Sequence, residues 1–466
     1  MSRKRRLRHL TRYVAAGAGI VTLAGTFLLA AAPAQAGTAV PRHGTHTSAA
    51  STHQAGSTHN AGSTHKGGST KAGSTKAGRA GQTGGTRQAA AEASKSAAQH
   101  YTNAACNTSN LKQNYASCFA VVYTAIKNKI AATPDQPPPT ALGPSDIQSA
   151  YKLPSSAGQG QTVAIVDAFG DSHAESDLAT FRSFYGLPPC TTANGCFQKV
   201  DQNGGTNYPP DDSGWGLETS LDLDAVSSAC PNCHILLVEG NDNSLQNLGI
   251  AENTAVSLGA KYVSNSYGVL GETSTETQFD QYYEHPGVAI DAATGDVGNV
   301  TNWPATNPDV AGIGGTTLTK DTSVPRGWDE SAWVDGGSGC SLYEPHPDYQ
   351  NGINTNCPNH KAIADISADA DPNSWLATYD TLGEGGWLQV GGTSLATPLV
   401  TAMYALAGPP VPGTFPVTYP YQDPNQSNDL FDVTQGSNGG CGNVLCNAGP
   451  GWDGPTGLGT PDGSTR

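Results

Sequence analysis

Between residues 137 and 466, short and largely apolar runs alternate with helical stretches, and this pattern constrains the fold more than any other feature. Thr162–Val166, His234–Val238, Tyr262–Tyr267, Val288–Ala292 and Val310–Ile313 read as strands. Ala174–Tyr185, Leu245–Leu258 and Ala396–Leu406 carry helical spacing. Strands that are apolar along their length must be covered on both faces, and parallel neighbours need crossovers long enough to hold a helix. The expected class is therefore α/β, a parallel sheet flanked by helices. In such sheets sites form beyond the carboxyl ends of the strands.

The residues ahead of this pattern are of another kind. Residues 1–136 hold sixteen of the 24 Lys and Arg but only Glu92 and Asp135 as acids, whereas residues 137–466 hold eight bases and 37 acids. So acidic a domain lacks the cationic face that a phosphate backbone requires, which excludes a nucleic-acid role for it. It also fits work in acid, where carboxylates take up protons and self-repulsion relaxes. At the N-terminus, six Lys and Arg precede an apolar stretch from Val14 to Ala32, followed by Ala34-Gln35-Ala36. That order predicts a secretory signal peptide over 1–36, cleaved after Ala36, and hence a secreted, extracellular protein. The competing reading, a membrane anchor, fits less well, because the stretch is rich in Gly, Ala and Thr and ends in a cleavage signal. No later run approaches the roughly 20 apolar residues that a membrane span needs.

Residues 37–97 are a low-complexity basic tether with repeats such as Ser51-Thr52-His53 and Ser69-Thr70-Lys71. Such a composition buries too little apolar surface to offset its ordering entropy. Residues 98–136 form a short N-terminal segment with one predicted helix, Ala116–Lys129. The ten cysteines fall in neighbouring pairs, 106/118, 190/196, 230/233, 340/357 and 441/446. An even count in an exported chain predicts disulfides, with sequential pairing as the simplest connectivity. Cys230-Pro-Asn-Cys233 also permits half a zinc site or a redox motif, but no second CxxC accompanies it.

Three segments carry candidate chemistry. In Gly391-Gly-Thr-Ser394-Leu-Ala-Thr-Pro398 a serine stands between a glycine turn and an apolar helix, whose N-terminus favours negative charge nearby. The same string also suits an ordinary helix cap. A nucleophilic serine needs a base. His173, His234, His285, His346 and His360 stand in no motif that supplies one, and the His43–His46 HGTH string lies in the tether. Glu218 and Asp222, four residues apart on a predicted helix, share one face, where two carboxyls split their titrations into an acid and a base. A solvated helix face is the plain alternative. Asp296, in Ala293-Thr-Gly-Asp296-Val-Gly298, follows a buried strand and, if protonated, can donate to an oxyanion; otherwise it is a loop residue.

Taken together, these segments resemble the sedolisins, serine-carboxyl peptidases with a subtilisin-like fold. The resemblance runs over about 138–463 through ALGPSDIQSAYKLP, TVAIVDAFGD, GLETSLDLDAV, SNSYG, AATGDVG, NPDVAGIGGTTL, ESAW, GGSG, DISADADP, GGTSLATP, FDVTQG and GPGWDGPTGLGTP. It implies a triad of Glu218, Asp222 and Ser394, with Asp296 serving the oxyanion hole. It implies that Ser266, Tyr267 and Gly268 lie beside the substrate backbone. It also implies one Ca²⁺ in a C-terminal loop region, held by Asp432, the Val433 carbonyl, the Gly449 and Gly451 carbonyls, and Asp453. All-oxygen ligation of that kind suits a hard cation. Two departures stand out. The segment before the domain is too short for the family's folded prodomain, and Cys340 occupies a position where a further glycine is usual.

The reading is a secreted, acid-acting serine-carboxyl endopeptidase, a monomer acting on protein or peptide substrates, with no membrane span after signal removal. Attachment to the cell envelope would run through the basic tether. The rival is a non-catalytic envelope or surface protein that retains the peptidase fold.

Overall fold

The computed structural model describes residues 104–107, 111–122 and 135–463 apart from Pro372 and Asn425. The predicted signal peptide, the predicted tether and residues 123–129 of the predicted helix lie outside the described residues.

In chain order the strands are β1 (Ser117–Cys118), β2 (Val121–Val122), β3 (Thr162–Ala168), β4 (Phe197–Asp201), β5 (His234–Gly240) and β6 (Tyr262–Asn265). Next come β7 (Tyr267–Leu270), β8 (Ala289–Ala293), β9 (Asn302–Trp303), β10 (Ala311–Lys320), β11 (Trp328–Ala332) and β12 (Gly339–Pro345). The series ends with β13 (His360–Ile363), β14 (Ile366–Asp369), β15 (Leu376–Asp380), β16 (Gly386–Gly391), β17 (Leu430–Phe431) and β18 (Thr460–Pro461).

Eight of these form the central sheet, in the order β11-β10-β8-β6-β3-β5-β4, with β14 also against β10. All its pairings are parallel except that of β10 with β11. This is the subtilisin-like α/β fold that the sequence predicts. Strand alternation feeds two cores. Val163 and Ile165 of β3, with Ile235 and Leu237 of β5, face Leu217, Leu221, Leu395 and Leu399. Ala164 and Val166, with Leu236 and Val238, face Leu245, Leu248 and Ala251 on the other side. Both faces of each strand are therefore covered, which is why the runs are apolar throughout.

The chain leaves β3 toward β5 and β4, then returns to place β6 on the other side of β3. That reversal opens a crevice at the carboxyl ends of β3 and β6. Two long helices line it, the Glu218 helix (Ser213–Ala229) and the Ser394 helix (Thr393–Ala407). Asp212 caps the first, accepting from the N–H groups of Gly214 at 3.0 Å and Trp215 at 3.1 Å.

Several predicted elements are corrected. Residues 116–122 are not helical: β1 pairs antiparallel with β7, and β2 with β16. Their backbone groups find partners on the domain, which outweighs a weak local helix propensity. The predicted strand Tyr262–Tyr267 breaks at Ser266, where the chain leaves the central sheet for β7. The strand begun near Val310 runs on to Lys320. The apolar helix starts at Thr393, so Ser394 lies in its first turn. The five disulfides are those of sequential pairing. Among the described residues no helix is long and apolar enough to cross a membrane.

Candidate active site

Ser394 sits where β16 turns into its helix. The turn runs through Gly392, whose φ of +99° belongs to glycine, and a Cβ there would stand 2.1 Å from the Phe119 carbonyl oxygen and 2.5 Å from Asp296 Oδ2. The bare α-carbon thus leaves space that these two oxygens border. Ser394 Oγ lies 3.1 Å from the Ser266 carbonyl oxygen and accepts the Phe119 N–H at 3.2 Å.

Across the crevice, the Glu218 helix is buried from Trp215 onward. Glu218 and Asp222, one turn apart, face the same crevice, and both side chains are fully buried. Glu218 Oε2 accepts the Ala120 N–H at 2.8 Å. Ser394 and Glu218 therefore contact the N–H groups of consecutive residues, 119 and 120. The Ser266 hydroxyl donates to Asp222 Oδ1 at 2.8 Å. Burial pushes Glu218 well above the usual carboxylate range and the Asp167 charge adds to this, while the nearby Ser394 hydroxyl partly favours the ionised form. Asp222 is raised by burial, then by Asp167 and Glu218. The crevice thus holds buried carboxyls whose charges raise one another's titrations.

Asp296 approaches from the carboxyl end of β8. Its Oδ1 accepts the Thr393 N–H at 2.9 Å and the Thr393 hydroxyl at 2.8 Å, which ties it to the start of the Ser394 helix. Its Oδ2 has no hydrogen-bond partner among the described residues. Burial pushes Asp296 up to about 8, against the Thr393 hydrogen bonds, and the Asp335 charge adds to the rise. In acid it is a neutral carboxylic acid, able to donate where a carboxylate cannot.

The structure thus gathers all four candidates, with Ser266 against Asp222 and Tyr267–Gly268 along β1. The register of that pairing is Ser117 opposite Gly268 and Cys118 opposite Tyr267. The named hydrogen bonds of Ser394, Glu218 and Asp222 involve no histidine. His173 Nδ1 lies 2.9 Å from Thr381 Oγ1, and His360 Nδ1 lies 3.1 Å from the Glu344 carbonyl oxygen. One participant escaped the sequence reading. Asp167, at the end of β3, accepts from the Thr219 hydroxyl at 3.1 Å and is itself raised to about 7 by burial. An acid ending an apolar strand at the switch point was the available signal.

The C-terminal loop holds the other candidate set. Asp432 Oδ2 accepts the Gly451 N–H at 3.0 Å, and Asp453 Oδ2 accepts the Gly449 N–H at 2.9 Å. Asp453 is fully buried and is pushed up to about 7 by burial, with the Asp432 charge adding. Two carboxyls close enough to repel supply oxygens of the kind a hard divalent cation takes, while the Gly449 and Gly451 groups that meet them are N–H groups and not the expected carbonyls. Among the described residues no three His, Cys, Asp or Glu side chains cluster for a metal, so backbone oxygens would have to complete the set. The Cys441–Cys446 disulfide lies in the loop between the two carboxyls.

The fold and site define a class: a subtilisin-like protein whose helix-borne serine faces acids. No family model matches the chain. It is 29% identical to kumamolisin of a Bacillus species over 362 residues, covering 70% of this chain and 63% of that protein. It is 28% identical to sedolisin of a Pseudomonas species over 354 residues, covering 68% and 58%. The chain spans about three-fifths of the length of these curated relatives. The solved structure of Pseudomonas sedolisin, a serine-carboxyl proteinase bound to two molecules of pseudo-iodotyrostatin, superposes with a TM-score of 0.59 at 27% identity. That match covers 69% of this chain and 95% of that one. The chain is similar to the sedolisins in both sequence and fold.

Proposed function

We propose that the chain is a secreted, acid-acting serine-carboxyl endopeptidase. The observation that carries the reading is the meeting of Ser394, Glu218 and Asp296 on one backbone stretch. Ser394 Oγ would attack the scissile carbonyl carbon, and Glu218 would take its proton and pass it to the leaving nitrogen. Asp222 would hold Glu218 in place and share its proton. Protonated Asp296, with backbone N–H groups at Ser394, would donate to the developing oxyanion, an arrangement that does most in a dry site. The Asp432, Val433, Gly449, Gly451 and Asp453 oxygens would hold a Ca²⁺ that braces the C-terminal loop and takes no part in the chemistry. The substrates would be proteins and peptides, and the basic tether would attach the enzyme to the cell envelope.

The test is casein hydrolysis at mildly acid pH by the secreted wild-type protein and by Ser394→Ala. The variant should keep its circular-dichroism spectrum and stay folded, since loss of one hydrogen-bonding hydroxyl costs only about 1–3 kcal/mol, while hydrolysis falls to background. Equal turnover by the folded variant would overturn the reading in favour of a scaffold without this chemistry.

A further inference from the structure

The chain's own residues 116–122 run through the crevice as an added strand. The Ala116 N–H donates to the Asn243 carbonyl at 2.8 Å, β1 pairs with β7, and β2 pairs with β16. Between the two short strands lies the Phe119–Ala120 peptide bond. Its nitrogen end donates to Glu218 at 2.8 Å, and its carbonyl oxygen borders the Gly392 α-carbon together with the unpartnered Asp296 Oδ2. The preceding N–H lies on Ser394 Oγ at 3.2 Å and reaches the Ser266 carbonyl at 3.4 Å. Ser394, Glu218 and Asp296 thus border one peptide bond.

The Phe119 ring fills a slot made by missing side chains. A Cβ on Gly268 would stand 3.0 and 3.1 Å from ring carbons Cε2 and Cζ, and one on Gly295 would stand 3.4 Å from Cζ. The ring is 5% exposed. A flat slot between two glycines admits an aromatic ring and offers a carboxylate no described cation.

We infer that Phe119–Ala120 is a self-processing site, cut by the chain's own Ser394, and that the acyl-side pocket takes aromatic side chains. This rests on the peptidase reading above. In the step, Ser394 Oγ bonds to the Phe119 carbonyl carbon while its proton passes through Glu218 to the Ala120 nitrogen, and the C–N bond breaks. Water then adds to the Phe119 ester, releasing a Phe119 carboxyl group and restoring the Ser394 hydroxyl. The Cys106–Cys118 disulfide lies wholly on the acyl side, so the cut needs no reductant. The Ala105 N–H donates to the Ala120 carbonyl at 2.9 Å, which bridges the two sides of the bond and keeps the segment seated until substrate displaces it.

The experiment follows the full secreted chain at about pH 5 by mass spectrometry under denaturing conditions, with casein hydrolysis run in parallel. Wild type should yield a polypeptide beginning at Ala120, Ser394→Ala should stay intact there, and Phe119→Asp should slow the cut at least tenfold. Peptides with Phe on the acyl side should exceed those with Asp at least tenfold in kcat/KM. Casein hydrolysis with Phe119–Ala120 left whole, or an equal cut in Ser394→Ala, would overturn the inference alone. So would an acyl-side preference for Asp. A folded wild type that cuts neither casein nor itself would instead strike the peptidase reading.

Discussion

Asp296 is the residue whose protonation matters most for the proposed chemistry. Its carboxyl is pushed up to about 8 by burial, so it keeps its proton through the acid range and loses it as pH rises through that value. Deprotonated, it would set a negative charge beside a developing negative charge, which is worse than losing one donor, itself worth about 10²–10³ in rate. Activity should therefore be bell-shaped. The alkaline limb belongs to Asp296 and the acid limb to the Glu218/Asp222 pair, which must keep one negative charge to act as base. Both limbs should lie lower once residues 116–122 leave the crevice, because water then reaches the acids and burial weakens. Asp296→Asn donates at any pH, so its alkaline limb should move upward while the acid limb stays. An active variant with an unmoved alkaline limb in its kcat/KM profile would refute the role. At this scale the sequence showed Glu218, Asp222, Asp296 and Ser394 through spacing and resemblance. It could not show Asp167 as a participant, because an acid ending a strand gains meaning only when the strands on either side of it are known.

The C-terminal loop is the element whose behaviour is most open to direct measurement. A cation held by Asp432 and Asp453 would bind the folded state alone and stabilise it by mass action. It also competes with protons for Asp453, which is raised to about 7. At pH 7.5, excess chelator should lower the melting temperature of a calcium-loaded sample by several degrees. At pH 5 the drop should be much smaller, and Asp453→Ala should abolish the difference. Equal melting curves with and without chelator at pH 7.5 would remove the site. Other features of the elements were invisible in the sequence. Lys361 is fully buried, pairs with Asp365 at 3.0 Å, and donates to the carbonyls of Ala305, Asn307 and Val310. No local pattern announces a lysine that caps carbonyls some fifty residues away. The predicted helix failed over residues 116–122 for a related reason: β1 and β2 exist only because β7 and β16 offer open edges.

Across the whole domain, buried acids dominate the response to pH. Asp291, Asp296 and Glu252 are raised to about 8, and Asp167 and Asp171 to about 7, in each case chiefly by burial. Each carboxyl binds its proton more tightly folded than unfolded, where the ordinary value is near 4. Between about pH 4 and pH 8 these groups hold more protons in the folded state, so their contribution to stability falls as pH rises. That contribution is complete at or below about pH 4 and is gone above about pH 8. Thermal melting of the Ser394→Ala protein, which avoids self-digestion, should show a higher melting temperature at pH 4.5 than at pH 8 when excess chelator removes the opposing contribution of a bound cation. A rise across that interval would contradict the burial of these groups as acids.

The sequence alone determined the fold class, because strands apolar on both faces admit few arrangements other than a helix-covered parallel sheet. It suggested sequential disulfide pairing, which the structure then settled, and it offered the candidate quartet through the resemblance to the sedolisins, with helical spacing and glycine turns as local support. Only the tertiary structure decided that these residues meet, that Asp167 joins them and that the segment before the domain enters the crevice. Those are contacts between residues far apart in the chain, fixed by which strand edges and crevices remain open once the sheet has formed, and no window of sequence contains them.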